Sequence, residues 1–591
     1  MYRSILATLI CLTAAFPTWA RAADPMENAL AAIPEDAVGF LCVPSLKQLD
    51  GDWQQAVSNF GLQPLVPPPW NSPLAALQQF MQLSAGLDAN GPLVLVQMPF
   101  NPPSEFMGSK QAFILPAADP KALVEAMGGQ AGEGGIWNVK LLGGPAFAMT
   151  GEKRLIVSTS AEVVKAVAGG KTGTGTKFKG KNPKMYEGLD LVLWLDGERL
   201  LKAFKPQIDG FLAIVTMAQA ASGPLGVKQA ESTKKQISML VDGTQSLMLG
   251  VSLDPAGVGL RLAIHAKAGS ELAQQTKAKP AAGSLLQGLP AGRYMLAFGQ
   301  VFDADLLKES LKDLDPYFEA GKGVESVNAE QLGILKGILQ DWAPLNKAAR
   351  LTVEALPPGP NGVIGMSLIF ETSDTQRWLE LVGKAVEALK KLPTDKDAKM
   401  FADAASYSAE AEDVAGVKVS HLKLDLSKIE EIDEDDLEEV TKVVGEEGVL
   451  FRLAPAGANV VTVSFGGGAD YMKRLIEHAG REAAPLDNTP GIQKVANHLP
   501  KKQVGAAYIA VDQILACVST IAKVLEEDEP LPFQMPEINA PLGVTVTGEQ
   551  ELMLIDVFCP TELIAASKNV VMTMMGPGGP GTAQPPPAGP R

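Results

Sequence analysis

The sequence predicts an α+β protein built from two tandem copies of one pattern. Residues 33–283 and 289–575 carry the same order of strand, helix and turn signals, and we refer to these two stretches as the first and second copy. Neighbouring strands in each copy are joined by short turns rich in Pro, Gly and Asn, which favours antiparallel pairing. Helical periodicity follows the paired strands. We therefore expect duplicated halves of antiparallel sheets with helices packed on one face.

Each copy contains two large segments that follow the plan strand, helical stretch, hairpin, second helix. The first segment of each copy opens with a hydrophobic residue followed by proline, Ile33-Pro34 and Leu289-Pro290, before an apolar strand. Alternating apolar residues flank turn residues at four places, as expected for hairpins. The predicted hairpins pair Pro92–Met98 with Gln111–Pro116, Ser246–Leu253 with Val258–His265, Arg350–Leu356 with Val363–Phe370, and Gly543–Thr547 with Leu552–Phe558.

A smaller segment of strands followed by a helix lies between the large segments of each copy. The helix is predicted at Ala161–Val167 in the first copy and at Ala469–His478 in the second. Residues 38–142 have the order strand, helix, strand, strand, helix, strand, which is that of a ferredoxin-like unit. We therefore expect a partly ferredoxin-like strand order.

Polar residues that can cap helices stand where strands give way to helical periodicity. Their side-chain oxygens accept the unpaired amides of a first helical turn, which stabilises a helix by roughly 1 kcal/mol. Asp196 and Asp512 occupy matching places in the two copies, so a carboxylate-based catalytic site is the alternative interpretation of this pair. The predicted caps are Asp119, Asp196, Ser270, Asp374, Asp512 and Thr561.

The N-terminus has the features of a secretory signal peptide. Arg3 precedes an apolar run from Ile5 to Phe16, and the small residues Ala20 and Ala22 occupy the two positions that a signal peptidase reads before cleavage. The run is too short to span a bilayer, and no later apolar stretch is long enough, so we expect no transmembrane segment after cleavage. The predicted domains are a signal peptide (1–22), a first half (23–283), a second half (284–575) and a disordered Gly/Pro-rich tail (576–591).

Charge and cysteine content limit the classes of function. The formal charge is −16, and removal of Arg3 and Arg21 with the signal makes it −18. An acidic surface repels phosphate backbones, which disfavours nucleic-acid binding. The mature chain keeps Cys42, Cys517 and Cys559, an odd number on apolar segments. Three buried thiols are expected, with one disulfide bridge as the alternative.

Two glycine-rich stretches resemble anion-binding loops without matching them. Gly169-Gly170-Lys171-Thr172 lacks the earlier glycine of a phosphate-binding loop and follows a helix rather than a strand. We interpret the basic stretch Lys171–Lys184 as a solvated linker, with an anion or acidic partner as the alternative. Gly466-Gly467-Gly468 precedes a helix, and a glycine turn is preferred to an anion site.

The remaining polar motifs have structural explanations. The acidic stretch Ser427–Gly445 has apolar residues at helical spacing, which indicates an exposed helix rather than a calcium loop. The methionines near the end of the second copy are expected to complete an apolar helix. No metal site or cofactor is expected, because the histidines have no ligand neighbours at helical spacing. These residues are His265, His421, His478, His498, Met572, Met574 and Met575.

The repeated phrase of Leu or Ile, then Pro, then an apolar strand and a helix occurs at Ile33-Pro34, Leu289-Pro290 and Leu499-Pro500. It resembles large uncharacterised secreted bacterial proteins known only as domains of unknown function, and this resemblance implies no catalytic residues. The sequence therefore favours an exported, non-enzymatic binding or scaffolding protein whose partner is an unknown protein or envelope ligand. A hydrolase with a carboxylate site in a groove between the halves is the alternative.

Overall fold

A computed structural model describes residues 33–101, 110–170, 185–186, 188–220, 224–312, 314–315, 318–319, 327–429, 432–480, 486–525 and 536–575. The predicted signal peptide, the basic stretch Lys171–Lys184 and the Gly/Pro-rich tail lie outside the described residues. The chain divides into two compact units. The first unit comprises Met1–Phe204 and Leu247–Pro255, and the second comprises Lys205–Ser246 and Ala256–Arg591. The domain boundary between residues 283 and 284 stays a prediction.

The first unit is built on an eight-stranded antiparallel sheet. Its order is β8-β1-β2-β3-β7-β6-β5-β4. The strands are β1 (Gly39–Val43), β2 (Leu93–Gln97), β3 (Gln111–Pro116), β4 (Gln130–Ala131), β5 (Trp137–Leu141), β6 (Gly144–Thr150), β7 (Arg154–Ser158) and β8 (Leu191–Asp196). The helices are α1 (Leu46–Asn59), α2 (Pro73–Met81), α3 (Pro120–Ala126) and α4 (Ala161–Gly169). Two elements, α5 (Gly197–Ala220) and β9 (Thr244–Asp254), contain the points where the chain passes between units.

The second unit has a longer antiparallel sheet, ordered β10-β20-β19-β18-β11-β12-β13-β17-β16-β15-β14. Its strands are β10 (Gly257–Ala266), β11 (Tyr294–Val301), β12 (Asn346–Ala355), β13 (Ile364–Thr372), β14 (Ala405–Val414), β15 (Val417–Leu424), β16 (Val449–Pro455), β17 (Val460–Phe465), β18 (Gly505–Ile509), β19 (Leu542–Glu549) and β20 (Leu552–Pro560). Its helices are α6 (Pro224–Gly243), α7 (Glu271–Gln275), α8 (Ala304–Lys312), α9 (Ala329–Trp342), α10 (Thr375–Lys390), α11 (Lys396–Ala404), α12 (Glu434–Val444), α13 (Gly468–Ala479), α14 (Pro490–Ala496), α15 (Val511–Val524) and α16 (Thr561–Met575).

The α+β class is confirmed, and the two sheets share one strand order. The sequence β8-β1-β2-β3-β7-β6-β5-β4 of the first unit matches β18-β11-β12-β13-β17-β16-β15-β14 of the second, strand for strand. The registers also agree. Val96 pairs with Ala112 as Thr352 pairs with Ser367, so one fixed offset relates β2 to β12 and another relates β3 to β13. The correspondence lets each residue of one sheet be compared with its counterpart in the other.

The ferredoxin-like expectation is met in element order but not in pairing. In a split βαβ unit, a third strand separates the two strands that flank the helix. Here β1 and β2 are direct antiparallel neighbours. The reason is that two helices, α1 and α2, connect them, so the chain returns to the sheet end that it left. The second unit repeats this arrangement with α8 and α9 between β11 and β12.

Helices cover both faces of the second sheet, whereas we expected one. Ile369 shares a buried cluster with Leu475 of α13. The adjacent Leu368 packs against the cluster that contains Trp378 of α10. Because successive side chains of a strand point to opposite faces, the two helices lie on opposite sides of β13. Central strands such as β17 are accordingly buried on both faces. No helix of the described residues is long and apolar enough to cross a membrane.

A local two-fold axis relates the antiparallel strands β10 and β20 within the second unit. Gly257 pairs with Pro560 and Ala263 with Leu554, in a register that is symmetrical about Arg261 and Asp556. At this central pair, Arg261 Nε donates a hydrogen bond of 2.6 Å to Asp556 Oδ1. The two side chains thus face each other as opposite charges at the centre of this ladder.

Candidate functional site

Asp196 and Asp512 do not occupy equivalent positions. Asp196 caps α5, because its Oδ1 accepts the Arg199 amide at 2.9 Å. The equivalent residue of the second unit is Ala510. The Asp196 amide donates to the Val38 carbonyl beside β1, and the Ala510 amide donates in the same way to the Met295 carbonyl of β11. Asp512 lies two residues later, inside the first turn of α15, and is buried. The predicted cap at Asp512 is therefore wrong.

Both carboxylates are occupied by structural hydrogen bonds. Asp512 Oδ2 accepts the Ile538 amide at 2.8 Å and the Gln513 side-chain amide at 3.1 Å, which ties α15 to the segment that leads into β19. The other predicted caps were compared with the observed helix starts. Asp119, Ser270 and Asp374 each accept first-turn amides and are confirmed as caps, and α16 begins at Thr561.

The first unit contains a carboxylate pair that sequence reasoning missed. Asp190 is 5% exposed, and its two oxygens accept the Leu253 amide at 2.7 Å and the Gln48 side chain at 3.2 Å. The pKa of Asp190 is raised to about 6, mainly by burial and in addition by the adjacent Asp52 carboxyl, while the two donors act in the opposite direction. Residues 52 and 190 are far apart in sequence, so no local pattern signals the pair.

The other motifs resolve into structural features. Gly466, Gly467 and Gly468 all have φ between 67° and 69°, and a Cβ on Gly466 would lie 2.1 Å from the Ile364 carbonyl. This is a glycine turn packed on the β12–β13 hairpin. The acidic stretch forms α12, whose first turn is capped by Asp433. Cys42, Cys517 and Cys559 are free thiols.

The histidines and the possible metal ligands are placed as follows. His421 Nε2 lies 3.0 Å from Glu412 Oε2, and His498 stacks on Phe558 with ring centroids 4.3 Å apart. Within the described ranges, no group of three or more His, Cys, Asp or Glu side chains could hold a metal ion.

The first unit contains an apolar pocket with a volume of about 490 Å³. Helices α1 and α2, the loop before α2, and strands β3 and β5 supply its walls. Ala76 and Met81 form a buried floor, whereas Trp70 and Leu142 at the rim are 57% and 66% exposed. The lining residues are Leu49, Trp53, Trp70, Pro73, Ala76, Leu77, Phe80, Met81, Phe113, Leu141 and Leu142.

Local hydrogen bonds hold the walls of the apolar pocket in place. Asp50 Oδ1 accepts both the Ser72 hydroxyl at 2.6 Å and the Leu74 amide at 3.0 Å, which fixes the start of α2 against α1. Trp53 Nε1 donates to the Trp70 carbonyl at 3.0 Å. Of the two indole N–H groups in the lining, that of Trp53 is thus engaged, and Trp70 carries the other at the exposed rim. The lining contains no titratable group, so the pocket can bind hydrocarbon but cannot supply acid, base or metal ligands.

The corresponding face of the second unit is filled. Trp342, Phe370 and Trp378 pack together there, with Phe370 and Trp378 centroids 5.0 Å apart, and Leu368 packs against this cluster. Leu368 is the counterpart of Phe113 in the pocket, and Trp378 is the counterpart of the smaller Leu123. Moreover, α3 has 7 residues where α10 has 16. The two copies thus share a fold, and the first has an open apolar cavity.

On the other face of its sheet, the second unit buries a polar network. Tyr471 Oη donates to Glu354 Oε1 at 2.9 Å, and Ser367 Oγ donates to Tyr471 Oη at 2.9 Å. Arg474 Nη2 donates to Glu354 Oε2 at 3.1 Å. Burial raises the pKa of Glu354, although Arg474 and Tyr471 act in the opposite direction.

The counterparts of this network in the first unit are apolar. Strand correspondence relates Glu354 to Met98 and Ser367 to Ala112. The helix sequences Ala161–Lys165 and Ala469–Lys473 align Tyr471 with Val163, and Arg474 then corresponds to Ala166. The first copy therefore has apolar side chains at the equivalent positions. In the second copy, the network links α13 to the sheet.

Comparisons with known proteins identify no family. No family model matches the sequence, and no curated protein matches it. Among solved structures, the chain is similar to crystal forms IV, III and I of TP0453, with sequence identities of 12%, 10% and 11% and TM-scores of 0.21, 0.21 and 0.20. The matches cover 49%, 50% and 49% of this chain and 97%, 99% and 99% of the TP0453 chains. Likeness at this level supports no argument about fold or function.

Proposed function

We propose that this chain is an exported, non-enzymatic binding protein that takes up a hydrocarbon chain, such as the acyl chain of a fatty acid or lipid, in the apolar pocket. The observation that carries the proposal is a cavity of about 490 Å³ lined by apolar side chains. Ligand pockets typically have volumes of about 300–1,000 Å³. The predicted signal peptide supports export, and the resemblance to uncharacterised secreted proteins stays part of the proposal.

The chemistry of the pocket decides the class of ligand. A polar group placed inside would lose its hydrogen bonds to water and find few partners, because the Trp53 N–H is already engaged and the Trp70 indole lies at the exposed rim. Each buried methylene contributes about 0.8 kcal/mol, so a chain of ten to fourteen methylenes gains roughly 8–11 kcal/mol. Association costs about 4 kcal/mol or more, which leaves a dissociation constant in the micromolar range or weaker.

The proposal is tested with dibromostearate added to the mature chain below its critical micelle concentration. Bromine atoms quench tryptophan emission at short range, and Trp53 and Trp70 line the pocket. We expect saturable quenching that Ala76→Phe weakens by about tenfold or more, because the new ring fills the buried floor. The matched control is Ala75→Phe, on the exposed side of the same helix. Equal quenching in both variants, or none in the parent chain, would refute the proposal.

Hydrolysis is kept as a second candidate function because of the Asp52–Asp190 pair. Two carboxyl groups in contact, one with a pKa raised to about 6, form the arrangement used for general acid catalysis. A broad hydrolase screen tests this candidate, since turnover that is lost in Asp190→Asn and retained in Asp88→Asn would support it. Activity that is indifferent to both substitutions would remove it.

A further inference from the structure

A second cavity, with a volume of about 300 Å³, lies within the second unit and has a different chemistry. We call it the polar pocket. It lies between the segment that leads to Leu289-Pro290 and the segment that leads to Leu499-Pro500, and strand β18 supplies Ala506 and Tyr508. About half of its lining side chains are polar. The polar pocket is separate from the apolar pocket, which is built from residues of the first unit.

Two opposite charges line the polar pocket without neutralising each other. Asp487 accepts a hydrogen bond from Ser284, and burial raises the pKa of its carboxyl despite that bond. Among the described residues, no ion pair joins Asp487 to a cation, and Lys501 likewise has no acidic partner there. A half-buried carboxylate without a cation is costly, so a ligand that brings one is favoured.

Neutral polar groups complete the lining. The Tyr508 side chain is 4% exposed, and burial together with the negative charge of Asp487 raises the pKa of its hydroxyl to about 12. The hydroxyl therefore stays protonated and can donate a hydrogen bond. Asn497 adds a carboxamide that can donate and accept, whereas the Gln503 side-chain amide already donates to the Pro500 carbonyl. Ile492 and Leu285 provide an apolar wall, which leaves room for a small side chain.

We propose that the polar pocket binds a small zwitterion with a primary ammonium and a carboxylate, that is, a free amino acid or a very short peptide. The ammonium would be held by Asp487 and the carboxylate by Lys501, and each of these is a charge-assisted hydrogen bond. A volume of about 300 Å³ lies at the lower end of the range for ligand pockets, which matches a ligand of this size.

The test is calorimetric titration of the full mature chain with each of the twenty amino acids, glycylglycine and a set of neutral monosaccharides. We expect at least one amino acid or the dipeptide to bind. Its N-acetyl derivative and its decarboxylated amine should each bind about tenfold more weakly or worse, because each lacks one charge. Thermal melting of every variant shows that it is folded.

Two variants locate the ligand. Asp487→Asn should remove the preference for the ammonium, and Lys501→Gln should remove the preference for the carboxylate. Lys502→Gln is the matched control, since Lys502 is exposed like Lys501 but does not line the pocket. Binding of monosaccharides instead of amino acids would overturn the proposal. So would the absence of any binding at millimolar ligand, or affinities that do not change in Asp487→Asn and Lys501→Gln.

Discussion

Replacing residues of the Glu354 network by the apolar residues at the equivalent positions of the first unit tests the correspondence between the two copies. Glu354→Met places the Met98 side chain at the equivalent position, and it leaves the Tyr471 hydroxyl without its acceptor. Glu354 is 4% exposed. Breaking a buried charged pair by removing one partner costs about 3–5 kcal/mol. Because the Arg474 side chain is 40% exposed and can turn to water, we expect a value near the lower end, about 3 kcal/mol.

The triple variant Glu354→Met, Ser367→Ala, Tyr471→Phe should recover most of this loss. It removes the buried polar atoms of Glu354, Tyr471 and Ser367 at nearly the same volume, and the buried Thr352 hydroxyl loses only a long bond of 3.4 Å to Glu354. Replacing a buried polar set by apolar groups of similar shape is often neutral. We expect a free energy of unfolding within about 1 kcal/mol of the parent chain.

The assay is urea unfolding with hydrogen exchange of peptides from β12, β13 and α13, which assigns the transition to the second unit. Glu380→Met is the control, because this carboxylate is 48% exposed and should cost less than about 0.5 kcal/mol. A triple variant no more stable than Glu354→Met would refute the reasoning. A neutral Glu354→Met would do so as well.

Three further substitutions or reagents give sharp expectations. Since the folded state holds the proton of Asp190 up to pH about 6, against about 4 when unfolded, stability should fall as pH rises from 4 to 6 by at most roughly 3 kcal/mol. Asp190→Asn should flatten this profile in pH-dependent melting, and an unchanged slope would contradict it. Arg261→Met should cost about 3 kcal/mol, because Asp556 is buried, whereas exchanging Arg261 and Asp556 should restore most of the stability in the same urea assay. Iodoacetamide should not label Cys42 in the native chain at pH 8, since burial raises its pKa to about 12; rapid labelling detected by mass spectrometry would show this thiol to be accessible.

Much of the fold could be predicted from the sequence because its signals are local. Alternating strands and turns of Pro, Gly and Asn mark the hairpins, and β2–β3 and β12–β13 are found at the predicted places. Strand β14 (Ala405–Val414) was not predicted. Its residues Ser408 to Asp413 are mainly exposed and acidic, so they lack the alternation by which a strand is recognised.

The error at Asp512 has a physical cause. An aspartate just after a strand is favourable both at the cap and inside the first helical turn, since both positions face unpaired amides. Sequence alone does not separate these two positions. Here the cap position belongs to Ala510, and Asp512 bonds to Ile538, which lies 26 residues further along the chain.

The apolar pocket could not be predicted, because a cavity is a missing contact rather than a residue type. On the same face of the sheet, the first unit has the short α3 with Leu123 where the second unit has the longer α10 with Trp378. The buried network had a weak signal. Arg350, Thr352 and Glu354 alternate along one face of an otherwise apolar strand, and that pattern places polar groups in a core.

The most direct test of hydrocarbon binding is photo-crosslinking of the mature chain with a diazirine fatty acid, followed by peptide mapping. We expect the adducts to concentrate on peptides that contain α1 and α2, with Trp53, Trp70 and Phe80 among the modified residues, and to disappear when unlabelled fatty acid is in excess. Adducts spread evenly over both units, or confined to peptides that do not line the pocket, would contradict the account.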